Sequence, residues 1–391
     1  MKPNADIVLK KGKESALLRK HPWIFSGAIQ CINNGIEDGD LVNVSAADGK
    51  HICWGHYQEK GSISVRRISD EVNKPTLDFW TASIFNAYKL RSELNIFNPS
   101  TNAYRLVHGE GDGLPGLIID IYDRTAVVQC HSSGMAKNIE MILEALIIVL
   151  KDGINQVFLK GVEKTGEKTG KYLLGDEDKS GCEILENGIK YWVDWEKGQK
   201  TGFFLDQRES RLHLEKFCKN KKVLNAFSYS GGFSLAALKG GAKNVVSVDV
   251  SQKACDWASE NAILNKLEKN HQSITADVLK YLDQTTEAFD VIILDPPAFA
   301  KHQSAKHNAI QAYRRINQQA LTILPQGGIL FTFSCSQAID KVTFEGIIRS
   351  AAININREIK IIGYLNQPAD HPVSIFHPEG DYLKGLVIYA G

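Results

Sequence analysis

From residue 191 onward, short apolar runs alternate with longer segments of helical character, and this order constrains the fold more than any other feature. The apolar runs at 222–225, 244–249, 273–276, 291–294 and 328–333 are predicted as strands, and 233–239, 252–265 and 310–324 as helices. A strand–helix–strand order builds a mostly parallel sheet with helices on both faces. Such sheets bind ligands at the carboxyl ends of their strands, so we expect functional residues directly after these runs.

The rest of the chain differs from this pattern and suggests two further domains. At 391 residues the chain exceeds one ordinary core. Residues 1–74 hold short β elements near 7–9, 40–44, 52–57 and 63–68, which predict a small barrel or sandwich. Residues 75–190 mix a helix from Leu77, strands within 104–131, a helix at 136–150 and a strand at 156–159. We therefore expect a β domain at 1–74, a central α+β domain at 75–190 and a doubly wound α/β domain at 191–391.

Composition and charge exclude several classes of protein. Lys and Arg number 46 against 45 Asp and Glu, so no global basic field indicates a partner. The seven cysteines are scattered without a CxxC pair or zinc-finger spacing, which predicts no metal site and no disulfide framework. The first twenty residues lack an apolar core region, and no apolar run is long enough to span a bilayer. We expect a cytoplasmic chain that does not enter a membrane.

The first two strand ends predict a nucleotide-like pocket. The segment after the strand at 222–225 turns through Gly231 into a helix, as close approach of a backbone to a ligand requires. Asp249 ends the next strand, where a carboxylate can accept hydrogen bonds from both ribose hydroxyls. The alternative for Asp249 is the N-terminal cap of the following helix.

A third acid and a rigid turn follow the next two strands. Asp277 comes after the run 273–276, where it can bind an adenine amino group, and its alternative is an ordinary loop carboxylate. Asp295 ends the strand 291–294 and is followed by Pro296 and Pro297, which fix the backbone in an extended turn. Such a turn can hold a polar side chain against a flat base, whereas the alternative is a cap on the turn.

One cysteine and a basic flank lie close to this turn in the predicted sheet. Cys335 follows the strand 328–333, one sheet position beyond the turn, although an isolated cysteine is more often a small buried hydrophobe. Between Pro296 and Ile339 no acidic residue occurs, while Lys301, Arg314 and Arg315 are present. A positive flank suits a polyanionic substrate, since phosphate contacts supply most nonspecific affinity. A solvated helix face is the alternative.

These motifs resemble the ribosomal RNA large-subunit methyltransferase I family, cytosine-C5 enzymes that join a PUA domain to a Rossmann-like class I methyltransferase domain. The likeness runs nearly end to end. It rests on these segments: His21-Pro-Trp-Ile-Phe-Ser26, Lys200-Thr-Gly-Phe-Phe-Leu-Asp-Gln-Arg208, Asn225–Phe233, Asp295-Pro-Pro-Ala-Phe299, Thr332-Phe-Ser-Cys335, Gln367–Val373 and Pro378–Lys384. The first would be a PUA signature, and the last two resemble the family's closing hairpin.

The resemblance implies a cofactor, a substrate and roles for the residues above. S-adenosylmethionine would bind over the loop after Asn225, with Asp249 on its ribose, Asp277 on its adenine, and Asp206 and Arg208 closing the pocket. The whole implied cofactor set is Asp206, Arg208, Asn225, Phe227, Ser228, Tyr229, Gly231, Asp249, Ser251, Asp277, Val278 and Asp295. The implied substrate is large-subunit ribosomal RNA, contacted by Pro296, Pro297, Phe299, Lys301, Arg314 and Arg315. A homodimer is implied as well.

By the same resemblance, Cys335 would attack C6 of a cytosine and Asp295 would hold the base while C5 is methylated. Two-cysteine cytosine methyltransferases carry a second cysteine in the Pro-Pro motif, where this chain has Ala298 and Phe299. Enzymes that methylate exocyclic amines favour an aromatic residue directly after the prolines, and Ala298 departs from that pattern. Methylation of uracil C5 or a purine nitrogen remains an alternative, as does a noncatalytic RNA-binding or ribosome-assembly protein.

Overall fold

The computed structural model describes residues 6–161, 170–300 and 303–391, which form two compact units. Unit 1 holds the described residues of Met1–Ile184 together with Val193–Leu205 and Ala369–Gly380. Unit 2 holds Leu185–Trp192, the described residues of Asp206–Pro368, and Asp381–Gly391. The boundaries predicted at residues 74 and 190 stay a prediction.

A six-stranded sheet forms the N-terminal part of unit 1. Its strands are β1 (Ile7–Leu9), β2 (Trp23–Phe25), β3 (Ile29–Ile32), β4 (Leu41–Ser45), β5 (His51–Tyr57) and β6 (Ile63–Ser69), with the short helix α1 (Ser15–Leu18). The strand order is β2-β6-β5-β4-β1-β3, and β1 and β4 pair in parallel. Four of these strands match the predicted β elements, and β2 and β3 were missed. Both are short, and most of their side chains lie outside the core.

The second part of unit 1 is a five-stranded sheet covered by helices. Its elements are α2 (Leu77–Glu93), β7 (Ala103–His108), β8 (Leu117–Tyr122), β9 (Thr125–Cys130), α3 (Ser133–Lys137), α4 (Ile139–Leu150), β10 (Gln156–Lys160) and β11 (Gly170–Leu174). The order is β11-β10-β9-β8-β7. The helix predicted from Leu77 is α2, which buries Trp80 and Ile84.

The single helix predicted at 136–150 is wrong, because the chain forms α3 and α4 with a break at Asn138. The Asn138 amide donates to the Gly134 carbonyl at 2.8 Å and lies 3.1 Å from His56 Nε2. A Cβ at Gly134 would lie 2.2 Å from the His56 ring, so α3 needs glycine there. A side-chain contact with the N-terminal sheet therefore interrupts a segment whose local pattern is helical.

The tryptophan of the His21-Pro-Trp segment anchors a cluster inside unit 1. Trp23 Nε1 donates to Glu110 Oε1 at 2.9 Å, and its ring centroid lies 4.4 Å from that of His377. The segment Ala369–Gly380 thus packs with residues far from it in sequence, although its flanking strands belong to unit 2. This contact gives the segment around residue 23 a structural role that its sequence alone does not reveal.

Unit 2 is built on a seven-stranded sheet with helices between its strands. A hairpin of β12 (Gly181–Glu186) and β13 (Ile189–Asp194) comes first in the chain and has residues in both units. The elements that follow it are α5 (Arg208–Leu214), β14 (Lys222–Ala226), α6 (Gly232–Lys239), β15 (Asn244–Asp249), α7 (Gln252–Leu264), β16 (His271–Thr275), α8 (Val278–Gln284), β17 (Val291–Leu294), α9 (Lys306–Ile323), β18 (Ile329–Ser334), α10 (Lys341–Asn354), β19 (Ile359–Leu365) and β20 (Lys384–Ala390). The order is β16-β15-β14-β17-β18-β20-β19.

Five neighbouring strands of this sheet are parallel, as predicted; in spatial order they are β16, β15, β14, β17 and β18. The strands β19 and β20 were not predicted, and they extend the sheet in the antiparallel sense beside β18. Apolar side chains of β14 and β17 pack on both faces, for example Leu224 and Ile292 on one and Val223 and Ile293 on the other. Among the described residues, no helix combines the length and apolar character needed to cross a membrane.

Candidate active site

The carboxyl ends of the parallel strands in unit 2 share one edge of the sheet, and the candidate site is built there. The predicted residues after β14, β15, β16, β17 and β18 all belong to this unit. Because β14 is the middle one of the five parallel strands, with β15 and β17 on its two sides, the edge has a half next to β15 and a half next to β17. From β14 the next strands along the chain are added on one side, as β15 and β16, and the later ones on the other, as β17 and β18. A ligand crevice opens at such a reversal of strand order in doubly wound sheets.

The loop between β14 and α6 has an unusual backbone. Phe227, Tyr229 and Gly231 all have positive φ, at 63°, 45° and 81°. A Cβ on Gly231 would lie 2.9 Å from the Ala258 Cβ, so both the space and the backbone require glycine. Two non-glycine residues in the left-handed region indicate a loop held in a fixed shape by its surroundings.

Two buried polar atoms, one at the end of β14 and one in this loop, are left for a ligand. Asn225 is buried, and its amide nitrogen donates to Ser234 Oγ at 2.8 Å. Asn225 Oδ1 and Ser228 Oγ are also buried, and among the described residues neither has a hydrogen-bond partner. Buried polar atoms without partners are costly, so this loop fits a polar ligand that supplies them.

Asp249 ties the end of β15 to the neighbouring loop. Its Oδ2 accepts from the Tyr229 backbone N–H at 2.9 Å, and its Oδ1 accepts from that of Ser251 at 2.9 Å. The helix α7 is capped by Ser251, whose Oγ accepts from Ala254 N, so the capping alternative for Asp249 is wrong. Each carboxylate oxygen keeps a second lone pair, so the half-buried Asp249 can still accept ribose hydroxyls.

Asp277 is the N-terminal cap of α8, where its Oδ1 accepts from the Lys280 backbone N–H at 2.9 Å. The side chain is exposed at the end of the strand edge, and the next residue, Val278, is buried. The alternative role of Asp277 expected from the sequence is an ordinary loop carboxylate, and the structure shows that this carboxylate caps a helix. Capping uses one side of the carboxyl group, which is compatible with a further contact.

Arg208 begins α5 and Asp206 lies two residues before it, and both contact residues to which no individual role was assigned from the sequence. The Tyr382 hydroxyl donates to Asp206 Oδ2 at 2.7 Å. Arg208 is buried, with its Nε 3.8 Å from a Glu186 carboxylate oxygen. The same Glu186 accepts two hydrogen bonds from Arg211, at 2.6 and 2.7 Å. No local pattern links Glu186 or Tyr382 to these partners, because they lie about 20 and 176 residues away.

Asp295 and Cys335 follow two strands that are neighbours in the sheet. The strands β17 and β18 pair in parallel, with Leu294 opposite Thr332. Asp295 is half-buried directly after β17, and Cys335 is half-buried directly after β18. The carboxylate and the thiol are therefore brought to the same part of the strand edge, as the alternating pattern predicted.

The backbone around Cys335 is held by buried polar groups. Ser336 Oγ accepts from the Ala300 backbone N–H at 3.3 Å and lies 3.0 Å from the Tyr313 hydroxyl. Lys384 Nζ donates to the Ser336 carbonyl at 2.8 Å. Burial raises the pKa of Tyr313 and lowers the pKa of Lys384. Neither Tyr313 nor Lys384 was assigned a role from the sequence.

The predicted substrate residues divide into a turn and a helix face. In the turn, Pro296 is buried and Pro297 is exposed. Phe299 is half-buried, with its ring centroid 4.7 Å from that of Tyr313. On α9, Arg314 is half-buried and donates to Gln311, whereas Arg315 is exposed. Lys301 lies outside the described residues.

Comparison with known proteins decides the family. Residues 157–374 match the family model described as S-adenosylmethionine-dependent methyltransferase, and residues 7–70 match that of a PUA-like domain. A protein of Vibrio parahaemolyticus named ribosomal RNA large subunit methyltransferase I is 42% identical, over 98% of each chain. The chain belongs to the ribosomal RNA large subunit methyltransferase I family. A member from Aeromonas salmonicida is 41% identical, over 98% of this chain and 99% of its own.

Solved structures agree with this family at the level of the fold. A SAM-dependent methyltransferase from Streptococcus mutans has a TM-score of 0.85 at 24% identity, covering 98% of this chain and 99% of that chain. A methyltransferase structure in complex with SAH has the same TM-score at 25% identity and the same coverage. The predicted PUA-like and class I methyltransferase architecture is confirmed.

S-adenosylmethionine, the predicted cofactor, is the cofactor of this methyltransferase family. The residues of unit 2 fit such a group. The end of β14 and the loop after it each offer one buried polar atom without a partner among the described residues, and the glycine of the loop allows a close backbone approach. The acids after β15 and β16 stand beside it in strand order, as a ligand with a ribose and an adenine requires. The cofactor contacts of individual residues stay predictions.

Proposed function

We propose that this chain methylates C5 of a cytosine in large-subunit ribosomal RNA, with Cys335 as a covalent nucleophile. The names of its relatives support the class of RNA. The observation that carries the chemistry is that Cys335 and Asp295 follow neighbouring strands at one edge of the sheet. A thiol next to a fixed carboxylate at a cofactor-binding edge is the arrangement that activation of a pyrimidine carbon requires.

C5 of cytosine is a poor nucleophile, and covalent attack on the neighbouring C6 makes it reactive. The Cys335 thiolate forms a bond to C6, and the electron pair of the C5–C6 double bond then makes C5 nucleophilic. Asp295 in its protonated form donates to N3, where negative charge develops during the attack, and its other oxygen accepts from the exocyclic amine. A uracil has an N–H at N3 and an oxygen in place of that amine, the reverse of this pattern, so Asp295 favours cytosine.

The cofactor side binds and orients the methyl donor. S-adenosylmethionine, when bound, supplies the methyl group as an electrophile on sulfur. Asp249 would hold its ribose hydroxyls and Asp277 its adenine amino group, while Asp206 and Arg208 close the pocket. The other residues proposed to contact it are Asn225, Phe227, Ser228, Tyr229, Gly231, Ser251, Val278 and Asp295.

Release completes the reaction without a second thiol. A base accepts the C5 proton, the double bond re-forms and the bond between C6 and Cys335 Sγ breaks. Ala298 stands in the Pro-Pro turn where two-cysteine enzymes have another cysteine, so Cys335 leaves as its own thiolate. The target base must be unpaired or flipped for the thiol to reach C6.

The RNA would be held by the turn and by the basic face of α9. Pro296, Pro297 and Phe299 form one wall for the base. Arg314 and Arg315, together with Lys301, contact phosphates, which position the strand without reading its sequence.

Methylation of an exocyclic amine is the rival chemistry. It needs an aromatic ring free to stack on the base directly after the prolines, but Ala298 occupies that position and the Phe299 ring packs on Tyr313. A noncatalytic RNA-binding role would leave no reason for the acids after β15, β16 and β17 and the cysteine after β18 to be present together.

Product analysis tests the proposal. Ribosomal RNA from cells that lack the protein is incubated with labelled S-adenosylmethionine and wild type, Cys335→Ala or Cys31→Ala, and its nucleosides are identified by mass spectrometry. We expect 5-methylcytidine with wild type and with Cys31→Ala, whose thiol is exposed and lies in unit 1. Cys335→Ala should lower the rate by about 10⁴-fold or more, as loss of a covalent nucleophile does.

Equal activity of Cys335→Ala, or a product methylated on a nitrogen, would reject the covalent C5 mechanism. A 5-methyluridine product would retain the covalent step but reject cytosine as the target.

A further inference from the structure

Lys384 is a buried lysine in the half of the strand edge that holds Asp295 and Cys335. It begins β20, where its Cα is the partner of Ser334 in the antiparallel pairing with β18. Its side chain is only 5% exposed. Lysine is rarely buried to this extent unless its charge has a partner, so this position calls for a chemical reason.

The hydrogen bond that Lys384 makes to the chain after Cys335 does not neutralise its charge. Nζ donates to the Ser336 backbone carbonyl at 2.8 Å, which orients the ammonium group but supplies no negative charge. Removing an ammonium from water is unfavourable unless an anion compensates its charge. The ammonium is thus held beside the residue that follows Cys335.

The charged groups around Lys384 come from several elements. Burial lowers its pKa, and Cys335 is the strongest of the neighbours that raise it, ahead of Asp381 and Asp340. Lys341, on α10, opposes them and lowers it. The nearby Tyr313 on α9 is a neutral phenol at ordinary pH, because burial raises its pKa.

Both of those acids are engaged elsewhere. Asp381 Oδ2 forms an ion pair with Lys341 Nζ at 2.9 Å. Asp340 caps α10, and its Oδ2 lies 3.9 Å from Lys306 Nζ. Both carboxylates are also substantially exposed, which weakens their pull on a buried ammonium. Lys384 pairs with Ser334 and binds the carbonyl of Ser336 through Nζ. Cys335 stands between these two serines, so its thiolate is the group best placed to act as the counter-ion. Asp295, which is half-buried directly after the neighbouring strand β17, is the charged group that opposes ionisation of the thiol.

We propose that Lys384 is the cation that holds Cys335 as a thiolate, and that it acts as a positioning residue for attack on the base. The role of Cys335 in methylation rests on the proposed function, whereas its ionisation beside Lys384 does not. The thiol gives its proton to solvent, Lys384 keeps its own proton, and the sulfur carries the negative charge that the nucleophile needs.

The same contact would act twice in the reaction cycle. When Cys335 bonds to C6, the sulfur becomes a neutral thioether and Lys384 loses its anion. When the C6–Sγ bond breaks, the charge returns to the sulfur beside the ammonium. A lysine that favours the leaving thiolate supplies help with release in a chain that has Ala298 where other enzymes have a second cysteine.

Alkylation of Cys335 as a function of pH tests the proposal without RNA or cofactor. The full chain is treated with iodoacetamide, and modification of each cysteine peptide is followed by mass spectrometry. The exposed Cys31 serves as a reference inside the same sample. In wild type, the midpoint of Cys335 alkylation should lie at lower pH than that of Cys31.

Two variants of Lys384 and one control sharpen the result. Lys384→Gln keeps a donor for the Ser336 carbonyl but removes the charge, and it should raise the midpoint of Cys335 by about one pH unit or more. Lys384→Arg should restore a low midpoint. Lys341→Gln, which removes a more exposed lysine of α10, should not raise it.

A wild-type Cys335 midpoint at or above that of Cys31 would overturn the proposal, even if Lys384→Gln fails to fold. An unchanged midpoint in folded Lys384→Gln would overturn it too. Because alkylation needs no substrate, these outcomes are separate from the product analysis, which alone decides whether Cys335 takes part in methylation.

Discussion

Along the strand edge of unit 2, the half formed by β14, β15 and β16 differs from the half formed by β17, β18 and β20 in how its polar groups are held. In the first half, the carboxylates of Asp249 and Asp277 accept hydrogen bonds from backbone N–H groups of adjoining loops and turns. In the second half, the positive charge proposed to act on Cys335 belongs to Lys384. This residue comes about fifty residues after Cys335 and lies on the antiparallel strand β20.

Under the proposed function, this difference separates binding from chemistry. Carboxylates that accept hydrogen bonds from backbone amides are held in a fixed orientation, which suits the recognition of a cofactor. A thiol beside a buried lysine and a carboxylate on a rigid turn can exchange charge with a substrate, which suits a reaction. Substitutions in the two halves should therefore alter different kinetic quantities.

Asp295→Asn should have the largest effect of three carboxylate substitutions. The amide keeps the shape of the side chain but weakens the stabilisation of charge on the base, so the rate of methyl transfer should fall by about 10²- to 10³-fold. The affinity for S-adenosylmethionine should fall far less. Single-turnover kinetics combined with calorimetric titration of the cofactor measure both quantities. A loss confined to cofactor affinity would move Asp295 to the binding half.

Asp249→Asn should instead weaken the binding of S-adenosylmethionine. The change removes a charged acceptor and disturbs the Tyr229 and Ser251 backbone contacts, so the Kd should rise by about 10- to 100-fold. The rate at saturating cofactor should change little. Asp256→Asn, which alters an exposed acid of α7, is the matched control and should leave the Kd unchanged. A lower saturated rate with an unchanged Kd would contradict the assignment.

Asp277→Ala should have the smallest effect. Loss of the adenine contact should raise the Kd for S-adenosylmethionine by about 2- to 10-fold. Loss of the α8 cap should lower the free energy of unfolding by about 1 kcal/mol. Asp340→Ala removes the cap of α10 and should give a similar loss of stability without a change in Kd. If both variants bind the cofactor equally well, Asp277 is a cap alone.

The local parts of this site could be predicted from the sequence, because each acid directly follows an apolar run that forms a strand. The alternation of strands and helices also predicted which of these acids would share one edge. The ranges of β14, β15 and β17 depend on runs of Val, Ile and Leu that are buried on both faces of a parallel sheet.

The parts that were missed depend on contacts between distant segments. Lys384 and Tyr382 reach the site because β20 pairs with β18. Both lie in the segment Pro378–Lys384, whose resemblance to the family's closing hairpin does not indicate which strand β20 pairs with. Glu186 is a further case, because its two arginine partners lie on α5. The break at Asn138 was missed for the same reason, since it depends on His56 from another sheet.

A covalent trap tests the central claim most directly. Ribosomal RNA that contains 5-fluorocytidine offers the same C6 to Cys335, but after methyl transfer C5 carries no proton to remove, so release of the thiol is blocked. With S-adenosylmethionine present, we predict a stable protein–RNA adduct that maps to Cys335 and is absent from Cys335→Ala. Turnover of normal RNA together with no adduct on wild type, or an adduct that maps to another residue, would contradict the mechanism.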